Sequence, residues 1–196
     1  MIAEAIRRSA LADYAERFTR LYETTGGSLS IRELPFLTQI NLRVDAGDAA
    51  VMRRLNDSLG FGLPLTSNAA SFEEDRRALW LGPDEWLVVG PANQPASLEQ
   101  TLRNGLAEAF GSVVDVSANR TVLEMRSPRA RDLLAHGVPI DLDPRSFGAN
   151  RCAQTLLAKA QVIIDRRDDE AAFHVYIRSS FASYVAEWLL DAAITF

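Results

Sequence analysis

The sequence lacks the residues from which disulfides and thiolate metal sites are built. Its 196 residues include a single cysteine, Cys152, and two histidines, His136 and His174. One cysteine excludes an internal disulfide, and structural zinc sites need several Cys or His ligands. We therefore predict no metal site in this chain, and a single unpaired thiol favours a cytoplasmic protein.

Long apolar segments and runs of basic residues are also absent. No stretch approaches the ~18 apolar residues that a membrane span needs, and the opening M-I-A-E-A-I-R-R-S-A builds no apolar core of signal-peptide length. With 21 Lys and Arg against 26 Asp and Glu, the net charge is −5. The composition therefore predicts a soluble protein that binds neither membranes nor nucleic acid.

The sequence contains none of the common catalytic or nucleotide-binding motifs. G-x-G-x-x-G, G-x-x-x-x-G-K-[ST] and G-x-S-x-G are all missing. His136 ends a short helical pattern and His174 alternates with apolar residues on a strand, so both are interpreted as structural, and Cys152 as a small apolar filler. We predict no catalytic residue in this chain.

The apolar pattern predicts an α+β fold made of two similar halves. I-N-L-R-V at 40–44 and T-V-L-E-M-R at 121–126 both alternate like strands, and each is followed by a short amphipathic helix. The order strand, helix, linker, strands, long helix recurs after roughly eighty to ninety positions. We predict an N-terminal arm and linker at 1–38, a first half at 39–112 and a second half at 113–196, in a ferredoxin-like arrangement of helices on sheets.

Three charged segments each require a choice between a structural and a functional interpretation. W-L-G-P-D-E-W-L at 80–87 is predicted to be a hairpin, with its adjacent carboxylates, Asp84 and Glu85, at the turn. In D-V-S-A-N-R at 115–120, Asp115, Asn119 and Arg120 either bind a polar ligand or satisfy backbone groups between the halves. D-R-R-D-D-E at 165–170 is predicted to be a solvated loop.

Four segments in combination carry a resemblance to a known family. They are L-P-F-L-T-Q-I-N-L-R at 34–43, W-L-G-P-D-E-W-L-V-V at 80–89, V-D-V-S-A-N-R-T-V-L-E-M-R-S-P-R-A-R-D-L-L at 114–134 and F-H-V-Y-I-R-S-S-F-A-S-Y-V-A-E-W-L at 173–189. Together they resemble the gamma subunit of heterotetrameric sarcosine oxidase. R-S-P-R-A-R-D-L-L at 126–134 is also similar to a segment of the folate-binding aminomethyltransferases of the glycine cleavage system.

The resemblance implies a noncatalytic subunit of a bacterial complex. Such a complex oxidatively demethylates sarcosine to glycine and passes the one-carbon unit to tetrahydrofolate. FAD, FMN, NAD, tetrahydrofolate and zinc are expected on other subunits, and the expected partners are the alpha, beta and delta subunits, chiefly the large alpha subunit. The apolar spacing of the N-terminal arm marks candidate contacts with such a partner: Leu11, Tyr14, Phe18, Leu21 and Tyr22.

A second hypothesis remains open at the level of sequence. Related folate-binding proteins carry a K-G-C-Y-x-G-Q-E loop, and the corresponding stretch here, F-G-A-N-R-C-A-Q-T at 147–155, keeps only Cys152. The alternative is a stand-alone folate-binding one-carbon transferase that uses Asp115, Asn119 and Arg120.

Overall fold

A computed structural model describes residues 7–167 and 172–195, and over these ranges the chain forms five α-helices and ten β-strands. The N-terminal part contains α1 (Ala15–Thr24), β1 (Ser30–Leu34), β2 (Leu37–Val44), α2 (Ala49–Leu59), β3 (Ala70–Glu73), β4 (Arg76–Gly82), β5 (Glu85–Ala92) and α3 (Pro95–Leu106). The remainder contains β6 (Gly111–Asp115), β7 (Arg120–Arg126), α4 (Ala130–Ala135), β8 (Cys152–Leu157), β9 (Ala160–Arg166), β10 (Ala172–Arg178) and α5 (Ala182–Ala192).

The strands form two antiparallel sheets of five strands with the same internal order. The first sheet runs β3-β4-β5-β2-β6 and the second runs β8-β9-β10-β7-β1. The series β2, α2, β3, β4, β5, α3 is repeated by β7, α4, β8, β9, β10, α5. This repetition confirms the predicted α+β fold of two similar halves, and each half has three consecutive strands between its two helices.

Each sheet is completed by one strand from a distant part of the chain. Ser30 to Leu34 of β1 pair with Arg126 to Val122 of β7, so residues assigned to the N-terminal arm complete the second sheet. Likewise β6, which crosses the boundary predicted at 112/113, pairs with β2 of the first sheet. Local alternation does not specify a distant pairing partner, and for this reason the sequence pattern predicted neither of these two pairings.

The two sheets pack face to face, with helices on their outer faces. One apolar cluster joins α1, α4 and α5 to the second sheet, and another joins α2 and α3 to the first sheet. A third cluster lies between the sheets and includes Leu79, Leu87, Val122, Ile163 and Tyr176. None of the helices in the described ranges is long and apolar enough to cross a membrane.

The predicted hairpin at 80–87 is present, and its carboxylates are engaged in structure. β4 ends at Gly82 and β5 begins at Glu85. The Glu85 carboxylate accepts hydrogen bonds from Asn41 Nδ2 at 2.7 Å and Arg43 Nη2 at 2.6 Å. Burial alone would raise the pKa of Glu85, but the hydrogen bonds from Arg43 and Asn41 outweigh it and lower the pKa. Glu85 therefore fixes the hairpin to β2.

Helix α3 ends earlier than its apolar spacing suggests. The pattern from Leu98 to Phe110 continues at helical intervals, yet the helix stops at Leu106 because Ala107 adopts a positive φ of 50°. Phe110 consequently lies outside the helix and is fully exposed.

Candidate functional site

The polar residues between β6 and β7 are used largely by the backbone around them. Asp115 Oδ1 accepts hydrogen bonds from the Ser117 amide at 2.9 Å and the Ser117 hydroxyl at 2.5 Å. Ser117 Oγ in turn accepts from the Gln39 amide at 3.0 Å. The Asn119 carbonyl accepts from the Ser179 amide at 3.0 Å. Asp115 and Asn119 thus fix the crossover between the two sheets.

Arg120 is placed differently from these two neighbours. It begins β7 opposite Arg178 of β10, and both side chains line a cavity of about 420 Å³ on the second sheet. Neither Asp115 nor Asn119 lines this cavity. The structure therefore does not bring Asp115, Asn119 and Arg120 together around one shared cavity.

The N-terminal arm packs against the chain's own core. Leu11, Phe18 and Leu21 are buried in the cluster beneath the second sheet. The Tyr14 hydroxyl donates to Glu187 Oε1 of α5 at 3.1 Å, and Arg17 Nη2 contacts the other carboxylate oxygen of Glu187 at 2.8 Å.

The exposed part of the arm is correspondingly small. Of the five predicted partner contacts, Tyr22 is about half exposed (49%) and Tyr14 is partly buried, whereas Leu11, Phe18 and Leu21 are at most 9% exposed. A groove of about 480 Å³ between α1 and β1 is lined in part by Phe18, Tyr22 and Ile31. The arm therefore offers an outer contact surface centred on Tyr22.

A buried ion pair joins the two sheets. Arg77 Nη2 of β4 lies 2.6 Å from Asp165 Oδ1 of β9, and the two side chains are only 3% and 0% exposed. The Arg77 guanidinium also donates to Asn150 Oδ1 at 3.1 Å and to the Arg166 carbonyl at 3.1 Å. Burying a charged group costs free energy unless an opposite charge pairs with it. The Arg77–Asp165 contact therefore favours the relative position of the two sheets that keeps both charges paired.

Asp165 belongs to a row of polar side chains that crosses the second sheet. Register pairs place Arg32, Glu124, His174, Asp165 and Cys152 side by side on five successive strands. Arg32 Nε lies 2.5 Å from one Glu124 oxygen, and His174 Nε2 lies 3.5 Å from the other. From Arg32, which is exposed, the row therefore alternates basic and acidic groups as far as the buried Asp165, and it ends at the buried Cys152.

Three buried side chains near the Arg77–Asp165 pair, Cys152, Tyr176 and His174, are held in their neutral states. Burial raises the pKa of the Cys152 thiol to about 12. Burial also raises the pKa of Tyr176, and the charge of Asp165 adds to that effect. For His174, burial and then the charge of Arg167 lower the pKa, although Asp165 and Glu124 oppose them. A neutral thiol and a neutral phenol are poor nucleophiles, so these groups are suited to packing.

The remaining histidine, His136, lies at the end of α4. His136 caps α4, with its Nδ1 lying 2.8 Å from the Asp132 carbonyl oxygen. Within residues 7–167 and 172–195, no group of three or more His, Cys, Asp or Glu side chains is arranged to hold a metal ion.

Sequence reasoning missed the Arg77–Asp165 pair and misassigned part of the loop predicted at 165–170. Asp165 and Arg166 are buried in β9, while residues 168–170 lie outside the described residues. The available signal was the alternation of Ile163 with Asp165, which puts both side chains on one face of a strand. The neighbouring charged residues favoured a loop over a strand, because most runs of charged residues are exposed to solvent.

Comparison with known proteins adds a direct assignment. The family model for the sarcosine oxidase gamma subunit matches residues 43–195. The chain belongs to that family. Curated gamma subunits of sarcosine oxidase from Corynebacterium sp. strain P-1 and from an Arthrobacter species are 36% and 37% identical over 193 residues, covering 98% of this chain and 92% of each relative.

Solved structures place the gamma subunit family within a wider fold group. A chain of the heterotetrameric sarcosine oxidase from Corynebacterium sp. U-96, solved in complex with pyrrole 2-carboxylate, superposes with a TM-score of 0.86 at 34% identity and covers 97% of this chain and 96% of its own. The glycine cleavage system aminomethyltransferase T from Bartonella henselae superposes with a TM-score of 0.62 at 15% identity, covering 83% of this chain and 45% of its own. The second likeness shows a shared fold, as the resemblance in sequence implied.

Proposed function

We propose that this chain is the noncatalytic gamma subunit of a cytoplasmic sarcosine oxidase heterotetramer and that it supports the assembly of that complex. The observation that carries the proposal is the superposition on a chain of a heterotetrameric sarcosine oxidase over 97% of this chain. The position of its ionisable groups supports a binding role, because Cys152, Asp165 and Tyr176 are buried between packed sheets, where no substrate reaches them.

The proposed complex oxidatively demethylates sarcosine to glycine and transfers the one-carbon unit to tetrahydrofolate. Its FAD, FMN, NAD, tetrahydrofolate and zinc are assigned to the alpha, beta and delta subunits. The donor set of this chain does not fit zinc, because Cys152 is its only thiol and is buried. This chain is proposed to contact chiefly the large alpha subunit. Of the five candidate residues in the N-terminal arm, Tyr14 and Tyr22 have side chains that are partly exposed and could form this contact.

Omission and add-back of this chain test the proposal. The other three subunits are expressed with and without it, and sarcosine-dependent peroxide formation and the hydrodynamic size of the product are measured. We expect a smaller or unstable assembly without the chain, and recovery when the purified chain is added. Full activity and unchanged size without the chain would overturn the proposal.

The arm is tested separately by substitution. Deleting the arm would remove Leu11, Phe18 and Leu21 from the chain's own core, so point variants are more informative. Tyr22→Ser removes an exposed aromatic, and we expect weaker co-purification with the alpha subunit at an unchanged melting temperature. Arg20→Ser is the matched control on the same helix. Equal recovery of the two variants would remove the arm from the interface.

The folate-binding alternative makes a different prediction. Calorimetric titration of the isolated chain with a reduced folate should give no heat of binding under the proposed function. Micromolar binding that both Asp115→Asn and Arg120→Ala abolish would favour the alternative.

A further inference from the structure

One end of the second sheet carries a row of side chains that the first sheet leaves uncovered. Arg120 and Arg178 are register partners on β7 and β10. Leu156 and Gln161 are register partners on β8 and β9. All four line the cavity of about 420 Å³, and we call them the Arg120–Arg178 row.

The row continues the face that is buried between the sheets. Arg120 lies two residues before Val122, and Arg178 lies two residues after Tyr176, so each points to the same side of its strand as its buried neighbour. Val122 and Tyr176 are at most 1% exposed, whereas Arg178 is exposed and Leu156 is 41% exposed. The inner face of the second sheet therefore extends past the edge of the first sheet as an open surface.

Two like charges face each other on this surface. Like charges directly opposite on neighbouring strands are destabilising. Burial lowers the pKa of Arg120, and the charge of Arg178 lowers it further, although Glu85 partly compensates. Glu85 therefore offsets only part of the repulsion between the two guanidinium groups, and a carboxylate placed between them would offset the rest.

Within residues 7–167 and 172–195, the row lacks a carboxylate that is hydrogen-bonded to it. Among the residues that the structure describes, no hydrogen-bond acceptor or carboxylate pairs with the guanidinium of Arg120 or of Arg178. Glu85, the acidic group that acts on Arg120, already accepts hydrogen bonds from Asn41 and Arg43 through its two oxygens. Glu85 therefore leaves both guanidinium groups open to a carboxylate from another molecule.

We propose that the Arg120–Arg178 row binds an acidic segment of a partner subunit, with an Asp or Glu carboxylate seated between the two guanidinium groups. Guanidinium groups bind carboxylates in a bidentate geometry, and exposed apolar surface beside a charge is typical of a protein interface. Leu156 supplies that apolar surface, which a small inorganic anion would not use. The inference rests on the proposed function, because it names the chemistry of the partner's contact.

Charge reversal in the assembled complex tests this site. Arg178→Glu changes an exposed side chain, and Arg120→Gln removes the second guanidinium while keeping a polar group. The matched control is Arg53→Glu on the exposed surface of α2, which makes the same change in net charge elsewhere. The measured quantity is the affinity of each purified variant for the complex that lacks the gamma subunit, at low and at high salt.

We expect Arg178→Glu to weaken binding by at least about tenfold at low salt and to flatten the dependence on salt, because it places a carboxylate opposite a carboxylate. Arg120→Gln should weaken binding in the same direction, and Arg53→Glu should bind as the unmodified chain does. Melting temperatures of the free variants confirm that each is folded, and Arg178→Glu carries the test if Arg120→Gln is unstable.

The possible failures are distinguishable. Normal binding by both row variants, with the unmodified chain also assembling, would overturn the site but leave the proposed function intact. Failure of the unmodified chain to assemble would overturn both. A rise in melting temperature with succinate that is lost in Arg178→Glu, together with unaffected assembly, would identify a small-molecule carboxylate site and overturn the protein occupant.

Discussion

Removing the charge of Asp165 should destabilise the fold more than any exposed charge change. In Asp165→Asn the side chain keeps its size, but the guanidinium of Arg77 loses the carboxylate that lies 2.6 Å away. The Asn150 and Arg166 oxygens that remain are neutral acceptors. Since Arg77 is only 3% exposed, water cannot replace the lost partner.

The expected loss follows from measurements on other buried pairs. Breaking a buried ion pair by removing one partner costs about 3–5 kcal/mol. In a chain of this size, 1 kcal/mol shifts the melting temperature by roughly 2–4 °C, which gives a fall of roughly 6–20 °C. Urea unfolding of the purified chain, followed by far-ultraviolet circular dichroism, measures the free energy directly.

Two further variants decide whether the reasoning is right. Arg77→Met combined with Asp165→Leu removes both charges, and it should recover most of the stability lost by Asp165→Asn because no unpaired charge remains. Glu99→Gln breaks the exposed pair with Arg103 and should change the unfolding free energy by no more than about 0.5 kcal/mol. A loss below about 1 kcal/mol in Asp165→Asn would refute the account of this pair.

The structure also predicts how stability depends on pH, how the thiol reacts, and how two glycine substitutions affect stability. The pKa of His174 is lowered in the folded chain, so the unfolded chain binds the proton of this imidazole more tightly. The unfolding free energy should therefore fall as pH drops below about 6.5, and it should fall less steeply in His174→Gln. Equal slopes for the two proteins would contradict this prediction. Cys152 should react with a thiol reagent only in denaturant, and fast reaction in the native chain would contradict its burial. Gly111→Ala places a Cβ 2.6 Å from the Arg43 carbonyl oxygen and should cost about 1–3 kcal/mol in urea unfolding. Gly62→Ala, whose Cβ would meet only Asn56 Nδ2 at an ordinary 3.8 Å, should not lower the stability in this way. Equal stability of the two variants would refute the close contact at Gly111.

Much of the fold could be predicted because its elements are locally amphipathic. The strand at Ile40 and the helix that follows it show clean periods, and Asp48 caps that helix by accepting from the Ala50 and Val51 amides. Gly60 follows the last buried apolar residue of the helix, Leu59, and adopts the left-handed conformation with φ of 89°, as glycine commonly does at a helix end. For elements of this kind, the residues at each end predict where the element begins and ends.

The strand exchange and the buried charges could not be predicted in the same way. β1 and β6 look like any short strand, and their pairing partners lie more than 60 positions away along the chain. Asp165 sits in a charged run whose local pattern is that of a loop, and its burial depends on Arg77 from the other half. Arg120 was singled out as a candidate, but its neighbour Arg178 appears beside it only when β7 pairs with β10.

The mass and composition of the assembled complex test the central claim most directly. This chain, carrying an affinity tag, is co-expressed with the alpha, beta and delta subunits, purified through the tag, and examined by native mass spectrometry and flavin absorbance. We predict one copy of the chain per complex, together with the three other subunits and their flavin. Recovery of the chain alone, while an active flavin-containing oxidase passes through the column, would contradict the account.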